Sequence, residues 1–321
     1  MTAEFTLIDD LIARRTGAQR ADVALGIGDD CALLVPPPGR QLAVSLDLLV
    51  AGVHFLPDAE PVALGHKALA VNLSDLAASG AEPAWITLGL TLPGADAGWL
   101  AAFMDGFAAL AAEHGAQLVG GDTTRGPLCI AVQVHGFVPP GAALTRSGAR
   151  AGDLVCITGT PGEAAAGLAL RFGRLELPEP FATHCLARLD RPTPRIRAGL
   201  ALRGLASACI DVSDGLAQDL GHILSASGCG ATLALGQLPL TAVSAALGAE
   251  AAWPYALAGG DDYELLFTLP AAQQAEAEAR LAAAGCPFSV IGRIDPEPGL
   301  RLVRPDGRPH ALERGGYEHF A

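Results

Sequence analysis

Apolar positions along this chain recur at two spacings. In residues 6–15, Leu7, Ile8, Leu11 and Ile12 fall at helical intervals behind Thr6, with Asp9 three residues on, so a short amphipathic helix is expected. CALLV (31–35) and QLAVSLDLLV (41–50) read as strands, and the PPPGR turn between them suggests a hairpin. Residues 61–80 open on Pro61, carry helical spacing and stop at Gly80. AWITLGLTLP is a strand, residues 98–115 form a helix ended by Gly115, and LCIAVQVHGFV alternates as a strand. The glycine-rich TRSGARAGD (145–153) precedes a fresh strand, tight turn and helix in DLVCITGTPGEAAAGLAL. A domain boundary is therefore placed near residue 150, dividing the chain into 1–150 and 151–321. The second half continues with a helix over 195–206, the strand ACIDV, a helix over 214–225, the strands ATLAL and YELLFTL, a helix after Pro270, and strands near FSVIGRI and LRLV. This interleaving predicts an α+β (mixed α/β) protein of two domains.

Composition narrows the function classes. With 321 residues and 50% hydrophobic content there is material for two cores. A formal charge of −13, with no run of basic residues, makes nucleic acid and anionic membrane poor partners. Lys67 is the only lysine. Seven cysteines are scattered singly in no metal-ligand spacing, and they read as small buried hydrophobes in a reducing compartment. Acids at Glu4, Asp9 and Asp10 argue against a signal peptide, and no apolar run is long enough to span a bilayer, so the cytoplasm is expected.

The acids then change the picture. GIGDDCALL sets Asp29 and Asp30 in a glycine-rich turn ahead of an apolar run. Asp47 (SLDLLVAGVHF), Asp75 (NLSDLAASG), Asp122 (GGDTTRG), and Asp211 with Asp214 (IDVSDGL) also sit at strand ends or in helix turns. One such acid is a cap or a turn. Asp75 lies inside an apolar helix, where a lone carboxylate is unfavourable to bury. A hard cation is the simplest partner for such a set, and the lack of clustered His or Cys favours magnesium or calcium over zinc or iron. The calcium-loop signature is absent. Magnesium is held by few carboxylates and by substrate phosphates, so several acids point to several ions and to phosphoryl transfer between two polyanions. There is no P-loop Gly-Lys, no kinase HRD or DFG, and GIGDDC breaks the dinucleotide fingerprint at Cys31. Phosphate is left to metals, glycine-rich backbone and arginines, of which Arg146 in LTRSG is best placed.

GIGDDCALL, SLDLLVAGVHF, KALAVNLSDLAASGAEP, GGDTTRG, TRSGARAGD, IDVSDGLAQDL and GGDDYELLF span nearly the whole chain in that order. Together they resemble the thiamine-monophosphate kinase family, of the ATP-binding superfamily that includes aminoimidazole ribonucleotide synthetase and selenophosphate synthetase. The resemblance implies a PurM-like fold: an N-terminal mixed sheet with helices that pairs in a homodimer, and a C-terminal α/β domain. It implies in-line transfer of the ATP γ-phosphoryl group to thiamine phosphate, with no covalent enzyme intermediate. Mg2+ ligands are implied at Asp30, Ser45, Leu46, Asp47, Asp75, Asp122, Asp211 and Asp214. ATP contacts are implied at Gly121, Asp122, Arg146 and Ser213, with Asp105 at the position near adenine. The other substrate falls to His54, Asp261 and Tyr317.

The sequence departs from the family pattern in four places. Leu46 stands for a frequent Thr, which requires metal binding through the backbone carbonyl. Asp261 stands for Glu, Tyr317 for Trp, and Asp105 for an aromatic residue. The alternatives are an ATP-using relative with another acceptor, or a non-catalytic nucleotide or metal sensor. The first lacks support from a reactive Cys–Lys pair near the N-terminus or a terminal cysteine. The second would be expected to have lost metal ligands.

Overall fold

The computed structural model describes residues 11–239, 241–312 and 315–317, so residues 6–10 of the expected first helix lie outside the described residues. The chain divides into two compact units, one of Met1–Leu76 with Ala81–Gly141, the other of Ala77–Gly80 with Ala142–Ala321.

The first unit is built on a four-stranded sheet in the order β3 (Gln41–Val50), β6 (Cys129–Val138), β4 (Glu82–Leu92), β5 (Gln117–Arg125). β6 pairs antiparallel with both β3 and β4, whereas β4 and β5 run parallel, joined through α2 (Ala97–Glu113). The other helix, α1 (Pro61–Ala78), is apolar nearly all round and correspondingly buried. It crosses α2 backbone against backbone: a Cβ at Gly65 would strike the carbonyl of Phe103, and one at Gly106 that of Val62. Small residues at both points let α1 settle where its polar positions meet β3.

The expected hairpin between CALLV and QLAVSLDLLV does not form. β2 (Leu33–Leu34) instead pairs antiparallel with β1 (Val23–Leu25), and β3 pairs with β6, about ninety residues on. Pro36, Pro37 and Pro38 cannot donate backbone hydrogen bonds, so the segment between β2 and β3 serves as a connector and not as a tight turn. GIGDDCA is thus the loop of a hairpin one strand earlier. That hairpin is fastened by Asp22, whose carboxylate accepts from Arg20 (2.7 and 2.9 Å) and from the Trp85 indole (3.0 Å). The paired guanidinium holds this carboxyl below its ordinary pKa. Val23, Ala32 and Leu34 pack on the buried Trp85, Val119 and Phe137.

The second unit holds a six-stranded sheet in the order β12 (Gly299–Val303), β9 (Gly230–Ala234), β11 (Phe288–Asp295), β7 (Leu154–Thr158), β10 (Leu265–Leu269), β8 (Ala208–Asp211). Only β12 and β9 pair in parallel. Its helices are α3 (Glu163–Arg171), α4 (Phe181–Asp190), α5 (Ile196–Leu202), α6 (Leu216–Ser227), α7 (Ala242–Leu247), α8 (Ala249–Ala258) and α9 (Gln274–Ala283). No expectation from the sequence covers α4, α7 and α8. α7 is only six residues long, and α8 carries Pro254 inside it. Mixed helices and sheets in two domains agree with the expected fold class.

The cysteines need one correction. All seven are free thiols and five are buried, but Cys31 is exposed in the GIGDDC loop and Cys129 is half-buried. No helix among the described residues is long and apolar enough to cross a membrane.

Candidate functional site

In the first unit Ser45, Leu46 and Asp47 lie on the edge strand β3, and Gly121 and Asp122 on the other edge, β5. Along β3, Ala43, Ser45, Asp47 and Leu49 turn inward while Leu42, Val44, Leu46 and Leu48 face out, as strand alternation requires. The inward row meets α1. Ser45 Oγ donates to Asp75 Oδ2 (2.5 Å), and the Asp47 amide donates to Asn72 Oδ1 (3.0 Å), whose own amide is tied to the Ala68 carbonyl (2.9 Å). Burial first, and the neighbouring Asp75 second, raise the Asp47 carboxyl from 3.8 to about 6. Two neighbouring carboxylates in a partly buried place, with the Ser45 hydroxyl beside them, suit a hard divalent cation. Asn72 was not picked out from the sequence, although a fully buried Asn inside an apolar helix was a usable signal.

Gly121 and Asp122 sit on β5, the opposite edge. Asp47 faces Val132, Val132 faces Leu88, and Leu88 faces Gly121, so the two candidate groups share one level of the sheet. Three strand spacings separate them, about 14 Å. Gly121 is required there because a Cβ would collide with the Leu88 carbonyl. Asp122 is exposed, as is Asp30 in the hairpin loop, where the Asp30 amide is held by Asp29 Oδ1 (2.8 Å). Asp29 therefore shapes the turn. Among the described residues no three His, Cys, Asp or Glu side chains are grouped so as to hold a metal ion. A cation placed here would draw on one or two carboxylates, with phosphate oxygens or water completing its shell.

His54 lies in the turn after β3. Its Nδ1 accepts from the Val50 amide (3.0 Å), so in the neutral ring Nε2 carries the proton and is the donor. Asp105 is on the exposed side of α2, its carboxylate ion-paired to Arg15 (2.7 Å).

In the second unit a single loop gathers several candidates. β8 ends on the buried Asp211, and Ser213–Gly215 lead into α6. The Asp261 amide donates to the Ser213 carbonyl (2.9 Å), and the Tyr317 amide to the Asp214 carbonyl (3.1 Å). Gln218 Nε2 reaches the Tyr317 carbonyl (2.9 Å). Asp261, Tyr317, Ser213 and Asp214 are thus neighbours. Asp219, buried in the first turn of α6, accepts the amides of Ser213, Asp214 and Gly215 on one oxygen. Burial raises its carboxyl to about 6 despite those amides. Arg146 follows Thr145, whose carbonyl accepts from the Cys209 amide of β8 (2.8 Å), so the LTRSG segment runs beside that strand.

Asp261 and Tyr263 both have positive φ (68° and 52°), with the Tyr263 hydroxyl donating to Asp261 Oδ1 (2.9 Å). Non-glycine residues in that region need support. It comes from below. Asp262 is buried and accepts the Gly162 amide (2.7 Å), with burial pushing its carboxyl well above the ordinary range. Glu264, wholly buried, takes a two-pronged contact from Arg195 (2.6 and 2.5 Å), with Arg188 (2.7 Å) and Thr158 (2.7 Å) alongside. Asp262 and Glu264 are therefore framework, and Asp261 is the acid presented.

Two family matches cover these halves: residues 28–138 match the AIR synthase related protein N-terminal domain, and residues 150–304 its C-terminal domain. The two matches together make this an AIR synthase related protein. Within that class the chain is 52% identical over 317 residues to the thiamine-monophosphate kinase of Escherichia coli K12, covering 97% of each. The crystal structure of thiamine-monophosphate kinase from Stenotrophomonas maltophilia K279a is 46% identical, with a TM-score of 0.87 over 96% of this chain and 98% of that one. The solved complex of AaThiL with AMPPCP and TMP is 32% identical, with a TM-score of 0.76 over 89% of each. The chain belongs to the thiamine-monophosphate kinase family.

Proposed function

We propose that this protein transfers the γ-phosphoryl group of ATP to thiamine phosphate, forming thiamine diphosphate and ADP. One observation carries the reading: a relative of the same fold, 32% identical over 89% of this chain, holds AMPPCP and TMP together. Asp30, Asp47, Asp75 and Asp122 of the first unit and Asp211 and Asp214 of the second would hold Mg2+, with Ser45 and the Leu46 carbonyl as further oxygen donors. The outward Leu46 side chain leaves only its backbone to serve in that role. Bound magnesium supplies charge neutralisation between two phosphate-bearing substrates. Gly121, Asp122, Arg146 and Ser213 are assigned to the nucleotide, with Asp105 at its base, and His54, Asp261 and Tyr317 to thiamine phosphate. Seven free cysteines suit action in the cytoplasm.

The test is phosphorus NMR of the protein with ATP and thiamine phosphate, with and without magnesium. A thiamine diphosphate resonance that grows with ADP only when magnesium is present is the expected result. ATP binding without any new diphosphate would overturn the assignment. His54→Ala tests the acceptor role. Losing a donor to a phosphate oxygen should raise KM for thiamine phosphate about 10-fold or more, with kcat little changed. An unchanged KM would remove His54 from the site.

A homodimer through β3 is part of the same proposal. Leu42, Val44, Leu46 and Leu48 are 47–56% exposed on its outer row, an apolar stripe long enough to form the centre of an interface. Val44→Arg should convert the dimer to monomer in sedimentation experiments while the fold survives. Unaltered mass would place the interface elsewhere.

A further inference from the structure

The loop between β8 and α6 is held by an unusual internal acceptor. Three consecutive amides, of Ser213 (3.0 Å), Asp214 (3.1 Å) and Gly215 (3.1 Å), converge on Oδ2 of Asp219, which is 2% exposed. Amides converging in this way at a helix N-terminus make a cradle suited to phosphate. Here the fold fills the cradle with its own carboxylate, so the amides are withheld from substrate and the backbone is fixed before any ligand arrives. Gly215, at φ 132°, allows the chain to bend into that geometry.

The loop so fixed carries more than itself. Its side chains are those of Ser213 and Asp214, its Ser213 carbonyl receives the Asp261 amide, and its Asp214 carbonyl receives the Tyr317 amide. We infer that Asp219 is a positioning residue for phosphoryl transfer, acting through the Ser213–Gly215 backbone to set Asp214, Asp261 and Tyr317 in place together. The inference rests on the roles proposed above for those three residues. Asp219 touches neither reacting group. Its contribution is pre-organisation, so that the loop does not have to be ordered when substrates bind.

Asp219→Ala, Asp219→Asn and Asp214→Asn are compared as full-length proteins. Amide hydrogen exchange in chelator, without nucleotide, reads the loop directly. Asp219→Ala should speed exchange at 213–215 about 10-fold or more while β7 and β10 stay protected. In turnover, its magnesium activation constant and its KM for thiamine phosphate should both rise about 10-fold, and added formate should restore them in part by refilling the cradle. Asp219→Asn keeps one acceptor oxygen and the residue's volume. It should fold normally and fall between parent and Ala, which keeps the test decisive if the Ala variant does not fold. Unchanged exchange at 213–215 in either foldable variant, or altered exchange with both constants unmoved, would overturn the inference. Asp214→Asn separates the two levels: an unmoved magnesium constant there refutes the ligand role of Asp214, whereas the exchange result still judges what Asp219 does to the loop.

Discussion

Asp47→Asn is expected to make the metal-free protein more stable and the enzyme inactive. Burial and the nearby Asp75 raise the Asp47 carboxyl from 3.8 to about 6, so at neutral pH the fold holds this anion less favourably than the unfolded chain does. Between these two values the folded state binds more protons than the unfolded chain, and stability falls as pH rises through that window and is level above it. Allowing for partial exposure, the deficit above pH 6 is about 2 kcal/mol. Asparagine removes the charge and keeps the shape, and the Asp47 amide still donates to Asn72. In chelator the variant should gain about 2 kcal/mol over the parent at pH 7.5 by urea denaturation, and the gain should vanish near pH 4. Phosphoryl transfer should fall at least about 100-fold, because a proposed cation ligand is gone. A variant that is no more stable at pH 7.5, or that retains activity, would show that the strained carboxylate is not kept for a cation. In the parent, saturating magnesium should reclaim the lost stability, since a ligand that binds only the folded state stabilises it.

The fold was largely legible because most of its elements carry a clear period. Residues 61–80, 98–115 and 128–138 gave two helices and a strand close to where α1, α2 and β6 lie. What periodicity could not supply was pairing. Leu33–Leu34 and Gln41–Val50 are both apolar, and nothing local says that the first joins Val23–Leu25 and the second a strand about ninety residues away. α4 does carry helical spacing at Phe181, Cys185 and Leu189, but it is only ten residues long and buries just Cys185 and Leu189. For the candidate site, order along the chain points to the acids and leaves their supporting residues silent. Asn72, Gln218 and Asp219 act through backbone groups whose positions depend on tertiary structure. Glu264 reads as part of a strand, and no motif links it to Arg188 or Arg195. A buried ion cluster of residues 158, 188, 195 and 264 leaves no spacing to detect.

That cluster should be the most sensitive point of the second unit. Glu264 is wholly buried beneath two guanidinium groups, and Thr158 Oγ1, besides donating to it, accepts the amide of Leu265. Removing the carboxylate leaves Arg188 and Arg195 without their buried counter-charge, a change worth about 3–5 kcal/mol. Glu264→Ala should therefore lower the melting temperature by about 10 °C, given roughly 2–4 °C per kcal/mol for a unit of this size. Glu264→Gln keeps the volume and should still lose much of that, because the charge, more than the shape, opposes the arginines. Activity should fall alongside stability even below the melting transition, since Arg188 also donates to the Asp262 carbonyl (3.3 Å) under the positive-φ turn that presents Asp261. The decisive comparison pairs Glu264→Leu with Arg188→Met and Arg195→Met. An apolar core of similar volume can match a buried ion cluster in stability, so the triple variant should recover much of the lost melting temperature. If it also recovers thiamine phosphate turnover, the cluster only holds the unit together. If stability returns and turnover does not, the arginines set the Asp261 turn, and their charge is part of how the site is held.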